Sequence, residues 1–250
     1  MSLQGKVVVI TGASRGIGRA LAFGFAWQGA IVVAAARTME PGVGEHEGSL
    51  QETVAQIARE GGKALAVQCD VADEGQVHHL VRRAQAEAGP IDVLINNAGL
   101  TLSGLATEIT TLDWDNAVAV NIRGPFLTCK YALPQMMDRR QGNIINITSR
   151  SGERVDTARL PYGMTKAALN KFTQNLAADM KSHNIAVNAL GPGLIQSRPP
   201  APGATPNTFQ GRIADPPETV VPAALWLAQQ DASFTGRIVH RDEFGKTWGA

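Results

Sequence analysis

Val7-Val8-Val9-Ile10-Thr11-Gly12-Ala13-Ser14-Arg15-Gly16-Ile17-Gly18 decides the fold of this chain. Four apolar, mostly β-branched residues read as a buried strand, and the spaced glycines after them run straight into a helix pattern near 16–28. Glycine here permits a tight turn, a close backbone approach to a phosphate, and close packing of helix on strand. The helix start offers free N–H groups and the positive end of its dipole to a pyrophosphate. Strand, glycine turn and helix in that order predict a dinucleotide-binding unit.

The same rhythm continues outward. Apolar runs at 31–33, 64–67, 93–95, 144–147, 186–190 and 237–239 alternate with helix patterns near 49–60, 74–88, 112–138, 163–182 and 217–230. Continuous hydrophobicity suits strands covered on both faces. Repeated βα units predict an α/β fold, a three-layer doubly wound parallel sheet (Rossmann fold) of about seven strands with helices on both faces. No internal repeat or linker divides the chain, so residues 1–250 read as a single dinucleotide-binding domain. Two excursions break the rhythm, 38–48 and a Pro- and Gly-rich stretch within a substrate loop at about 194–217. Each reads either as a surface excursion or as a lid over the crevice at the carboxyl ends of the strands.

Net charge is +1 with both signs scattered, which argues against nucleic acid or an anionic membrane as partner and leaves a small molecule. No apolar run is long enough to cross a bilayer, and the N-terminal residues lack the apolar stretch of a signal peptide, so a cytoplasmic protein is expected. Cys69 and Cys129 lie far apart without metal spacing and read as buried thiols. The five histidines form no ligand cluster, and His78-His79 reads as part of a helix surface, so no metal is expected.

The end of the second strand bears on the cofactor. An NAD site usually carries an acid there for the ribose hydroxyls, whereas the extra phosphate of NADP needs positive charge. The chain has Ala34-Ala35-Ala36-Arg37-Thr38 with no acid before Glu40. Arg37 and Arg15, able to converge on that phosphate, predict NADP(H) as the preferred cofactor with NAD(H) possible; the alternative is two solvated arginines. Tyr162 and Lys166 stand four residues apart, on one face of a helix. An ammonium beside a phenol favours the phenolate and brings its proton exchange down from a pKa of about 10. Tyr131 has no lysine at that offset and reads as a packing residue.

With the glycine turn and this pair, the chain resembles the short-chain dehydrogenase/reductase superfamily from about residue 5 to the last strand. Thr11 to Gly18 is similar to the family's TGxxxGxG turn, which implies cofactor contacts at Gly12, Ser14, Arg15, Gly16, Ile17 and Gly18. Asp70-Val71 resembles the pair that contacts the adenine, and Asn96-Asn97-Ala98-Gly99 the NNAG motif that steadies the sheet and lines the cofactor. Asn121 matches the family's helix asparagine, and Ser149 lies thirteen residues before Tyr162, the usual offset. Pro192-Gly193, with Ile195 and Ser197, resembles the stretch that packs on the nicotinamide.

The resemblance implies hydride transfer between NADP(H) and a carbonyl or alcohol. Tyr162 is then the general acid/base, and Ser149 stabilises the substrate oxygen. Lys166 lowers the tyrosine's pKa and binds the nicotinamide ribose, while Asn121 holds a water that links Lys166 to solvent. An NAD-dependent alcohol dehydrogenase of the same fold and a non-catalytic dinucleotide sensor are the alternatives, the complete set of four residues arguing against the sensor. A homo-oligomer, dimer or tetramer, is also implied, formed through the helices near 112–138 and 163–182. Phe126, Leu127, Leu169 and Phe172 suit either such an interface or the core.

Two features depart from the family pattern. Val239-His240-Arg241-Asp242-Glu243-Phe244-Gly245 replaces an Asp-Gly-Gly-like turn, which bears on subunit arrangement more than on chemistry. Arg150 and Arg154 lie beside the serine, either to select an anionic or polar substrate or to point into solvent. The identity of the substrate does not follow from the fold.

Overall fold

The computed structural model describes residues 2–43, 48–196, 208–209 and 212–249. Its strands are β1 (Val7–Thr11), β2 (Ile31–Ala36), β3 (Lys63–Gln68), β4 (Ile91–Asn96), β5 (Gly142–Ile147), β6 (Ile185–Gly191), the two-residue β7 (Thr208–Phe209) and β8 (Arg212–Ile213), and β9 (Ile238–His240). Seven of them form one sheet in the order β3-β2-β1-β4-β5-β6-β9, every pairing parallel. The helices are α1 (Gly16–Trp27), α2 (Leu50–Arg59), α3 (Glu74–Glu87), α4 (Thr111–Val118), α5 (Gly124–Arg139), α6 (Leu160–Met180) and α7 (Val221–Ala228).

Successive side chains of a strand point to opposite faces, and here both faces are covered. Val8, Ile10, Val32 and Ala34 pack in one core with Leu21 and Phe25 of α1, Ile57 of α2 and Leu227 of α7. Val7, Val9, Val33 and Ala35 pack in the other with Leu80 of α3, Met136 of α5 and Ala177 of α6. That is why the strands read as unbroken apolar runs, and it makes the three layers expected from the sequence.

Local signals set the helix ends. At α2 a reciprocal capping box joins Ser49 and Glu52, each accepting a hydrogen bond from the other's backbone N–H, at 3.1 and 2.9 Å. The helix expected over 112–138 is interrupted by a π-helical turn at Ala119–Arg123. Pro125 has no N–H to donate to the Asn121 carbonyl, so the α-helical ladder cannot continue unbroken there. The expected helix at 163–182 starts earlier, with Pro161 in its first turn, so that Tyr162 and Lys166 both lie within α6.

Of the apolar residues named for an interface, Leu127 and Leu169 are only 1% and 2% exposed and belong to the core, whereas Phe126 is 49% exposed. Cys69 and Cys129 are buried free thiols, both pushed up to about 12 chiefly by burial. His78 lies on the surface of α3 and stacks on Tyr131, whose hydroxyl donates to Glu74. Among the described residues no helix is long and apolar enough to cross a membrane.

A buried polar chain runs through the middle of the sheet. Thr128 of α5 donates to Asn96 Oδ1 (2.6 Å), Asn96 Nδ2 to Asn146 Oδ1 (2.9 Å), and Asn146 Nδ2 to Thr173 of α6 (2.9 Å). It ties both helices to β4 and β5 where the strands approach the carboxyl edge. Asn96→Ala takes the donor from buried Asn146 Oδ1, while the Thr128 hydroxyl keeps the Gly124 and Pro125 carbonyls as acceptors; a loss of about 1–3 kcal/mol is expected, read as a lowered urea midpoint.

Candidate active site

The strand order reverses between β1 and β4, which opens a crevice beyond their carboxyl ends. Gly12 turns the chain out of β1 with φ +69°, and a Cβ there would lie 2.9 Å from Asn97 Nδ2 and 3.0 Å from Ala98 Cα. At Gly18, inside α1, a Cβ would collide with the Gly12 carbonyl. Helix α1 begins at Arg15 with no side-chain cap and no acid in its first turn, so its N-terminal dipole is unopposed. This turn fits a dinucleotide pyrophosphate. Asn97 holds it in place: its side-chain amide donates to the Thr11 and Gly12 carbonyls (2.8 and 3.2 Å), and its backbone N–H to the Thr11 hydroxyl (3.0 Å).

The other cofactor candidates sit along the same edge. Ser14 is buried in the turn beside half-buried Arg15, Gly16 and Ile17, and Arg37 is exposed directly after β2. Asp70 follows β3, with one carboxylate oxygen accepting from the Ala72 N–H (3.0 Å), and Val71 is buried against Gly124. Gly99 is exposed after β4. After β6, Pro192 is buried and Gly193 exposed. Ile195 forms a bridge with Asp215 that pins the two ends of the expected substrate loop together. Ser197 lies outside the described residues, as do parts of both excursions.

The four residues expected to react do converge. Ser149 leaves β5 and accepts from the Ser151 N–H (3.2 Å), and the Tyr162 phenol lies where the Ser149 and Thr101 side chains act to hold its pKa down. Lys166 is buried one helical turn on, its Nζ 5.8 Å from the Tyr162 ring centroid and donating to the Ile147 carbonyl at 2.8 Å. Asn121, buried in the π-turn, accepts from the Leu100 N–H (2.8 Å) and donates to the Leu100 carbonyl (2.8 Å) and the Thr165 hydroxyl (3.0 Å). Both amide hydrogens are engaged, so the side chain braces β4 against α6, and a water on this residue would sit on its backbone carbonyl.

The electrostatics differ from the expectation that Lys166 lowers the Tyr162 pKa. Burial is the largest influence and pushes the phenol up; the Ser149 hydrogen bond, the Arg159 charge and the Thr101 hydrogen bond oppose it, and the Asp156 charge adds to it. Burial likewise brings the Lys166 ammonium down to about 8. The reason is geometric: the ammonium is buried and directed to the Ile147 carbonyl, and the half-buried phenol is partly withdrawn from water.

Arg150 follows neither of the two expected courses, whereas Arg154 is exposed to solvent as one of them has it. Arg150 donates to Asp242 and Glu243 of the unusual tail, each at 2.8 Å, and Arg154 pairs with Asp156 at 2.9 Å. The tail makes further contacts with the loops around the site. His240 Nε2 lies 2.9 Å from Glu153, and Arg241 donates to the Pro192 carbonyl (2.8 Å) and to Asp215. Trp248 Nε1 donates to the His240 carbonyl (3.0 Å) and locks the segment down. The altered tail therefore clasps the Ser149 and Pro192 loops of its own chain. Thr101, Asp156, Arg159 and this clasp escape the sequence reading. Arg159 alone has a local signal, standing three residues before Tyr162 and so on the same side of the helix.

Comparison with known proteins gives this arrangement a context. Residues 6–201 match the family model described as short chain dehydrogenase. An uncharacterized oxidoreductase of Thermotoga maritima is 36% identical over 97% of this chain and 98% of its own length. The 3-oxoacyl-acyl-carrier-protein reductase of the same organism is 32% identical over 97% and 98%. A metagenomic short-chain oxidoreductase crystallised in complex with NADP superposes with a TM-score of 0.80 at 29% identity, covering 96% of this chain and 98% of that one.

Lys166 has a measurable linkage. Its pKa falls from an ordinary 10.5 to about 8, so the unfolded chain binds this proton more tightly than the native one. The resulting penalty, up to ~3 kcal/mol, is fully present below pH ~8 and is relieved as pH rises through the window between the two values. Lys166→Met is accordingly expected to melt above the parent at neutral pH, the gap closing towards pH ~10.5, as followed by calorimetry.

Proposed function

The chain belongs to the short-chain dehydrogenase family, and from that premise we propose an NADP(H)-dependent oxidoreductase that interconverts a carbonyl and its alcohol with Tyr162 as the general acid/base. That it is an NAD(P)-dependent enzyme follows from the family; the nucleotide preference, the substrate class and the residue roles are our reading. The observation that carries it is the convergence of Tyr162 with Ser149 and with Lys166, buried one helical turn on with its Nζ 5.8 Å from the Tyr162 ring. We treat residues 1–250 as one dinucleotide-binding domain with its substrate loop at about 194–217.

When bound, the nicotinamide supplies or takes up the hydride. Tyr162 gives its proton to the substrate oxygen on reduction and takes it back on oxidation. A phenol pushed up by burial keeps its proton at neutral pH, which suits the reductive direction. Ser149 hydrogen-bonds the same oxygen and steadies the charge that develops on it. Lys166, brought to about 8, can bind the ribose hydroxyls as an ammonium and pass a proton to Tyr162. The Asn121 carbonyl, left without an α-helical donor by Pro125, holds the water that connects Lys166 to solvent. Gly12, Gly16 and Gly18 take the pyrophosphate, Asp70 and Val71 the adenine, and Pro192 and Gly193 the nicotinamide. Arg15 and Arg37 take the additional phosphate of NADP, and the related oxidoreductase crystallised with NADP supports that choice. Phe126 is the exposed apolar residue we assign to a subunit contact in a homo-oligomer.

Two variants test this reading. Tyr162→Phe is expected to lose about 10²–10⁴-fold in turnover while nicotinamide binding, followed by fluorescence, persists. Undiminished turnover would remove Tyr162 from the reaction, and a wild-type cellular role without turnover would favour a dinucleotide sensor. Arg37→Asp is expected to lower the kcat/KM ratio of NADPH over NADH by about tenfold or more; an unchanged ratio would leave Arg37 a solvated residue.

A further inference from the structure

We propose that Arg241, in the unusual tail, is a positioning residue that sets the nicotinamide-facing segment Pro192-Gly193 against the reacting side chains. The inference rests on that segment taking the nicotinamide, as read above, and on neither the role of Tyr162 nor the choice of nucleotide. In the main sheet β6 and β9 pair last at Gly191 and His240. Beyond that pair the two strands part, and backbone groups run out of ladder partners. Arg241, the first residue after β9, supplies one from its side chain: its Nε donates to the Pro192 carbonyl at 2.8 Å. The fit is close, because Gly193 has φ +83° and a Cβ there would lie 3.3 Å from Arg241 Nη2.

The same guanidinium holds a second partner. It donates to the carboxylate of Asp215, at the returning end of the 194–217 excursion. The Asp215 N–H donates to the Leu194 carbonyl and its carbonyl accepts from the Gln196 N–H, each at 2.9 Å. One planar fork thus grips the outgoing and the returning chain beside Pro192 and Gly193. The arginine is itself anchored. Its side chain is only 17% exposed, its carbonyl accepts from the Phe244 N–H (3.1 Å), and Trp248 donates to the adjoining His240 carbonyl. Arg150, the neighbour of Ser149, donates to Asp242 and Glu243 of the same turn. A turn fastened to the serine loop on one side and to Pro192 on the other fixes the spacing between them. Hydride transfer is sensitive to that spacing, since a misplacement of about 1 Å costs about a hundredfold in rate.

The test separates the two ends of the nucleotide. NADPH is titrated calorimetrically beside 2′-phospho-ADP-ribose, which lacks the nicotinamide, and NADH beside ADP-ribose; the tighter-binding pair is read. In Arg241→Met the intact nucleotide is expected to bind about tenfold more weakly, while its nicotinamide-free fragment stays within about twofold of the parent. Asp215→Asn changes a half-exposed side chain and is expected to show the same asymmetry at about threefold. It carries the reading should Arg241→Met not fold. Parent-level Kd values throughout overturn the inference. So does an equal weakening of nucleotide and fragment, which makes Arg241 a general structural tie. A parent that binds nucleotide and fragment alike overturns it through its premise at Pro192-Gly193. Undiminished turnover of Tyr162→Phe bears on the acid/base reading alone, so the two failures are told apart by the assay that gives way.

Discussion

The catalytic edge of this molecule depends on how the ends of β1 and β4 are fastened together where their helices part to opposite faces. Neighbouring strands that diverge leave carbonyl and N–H groups without ladder partners. Thr11 and Asn97 supply them: the threonine hydroxyl accepts from the Asn97 and Ala98 N–H groups, and the asparagine amide reaches the Thr11 and Gly12 carbonyls. The glycine turn is thereby indexed against the start of the loop that leads to Thr101. One strand further on, Asn96 and Asn146 carry the same bracing to α5 and α6. The glycine turn at Gly12 and the helix that carries Tyr162 are in this way parts of one hydrogen-bonded frame.

Within that frame, desolvation outweighs charge. A tyrosine and a lysine four apart suggest mutual stabilisation of phenolate and ammonium, yet each lies where ionisation is penalised, and both are driven towards neutrality. The two shifts act oppositely on the proton, Tyr162 holding its own more tightly and Lys166 releasing its own more readily. The asparagine beside them shows a parallel division of labour. Its side chain is wholly engaged in bracing, and the proline four residues on takes the α-helical donor away from its carbonyl.

Much of this was legible in the order of residues. Uninterrupted β-branched runs announce strands buried on both sides, and the glycine spacing places a turn whose geometry tolerates no side chain at Gly12 or Gly18. Tyr162, Lys166 and Ser149 meet as their spacing indicates. What stayed hidden is of another kind. The π-turn at Asn121 follows from a missing amide hydrogen at Pro125, a signal present in the sequence but easily read as part of a continuous helix. The partners of Arg150 could not be found by any local rule, because Asp242 and Glu243 stand more than ninety residues away. The direction of the Tyr162 shift depends on burial, which spacing does not encode.

The clasp between the tail and the Ser149 loop has a consequence for biosynthesis. Asp242 leaves the ribosome 92 residues after Arg150, when all seven strands of the main sheet have already been made. A nascent chain just short of that point lacks the ion pairs of Arg150, which form only with the acidic turn that follows β9. Loss of residues 240–243 would leave the reacting groups in place on loops that lack this fastening.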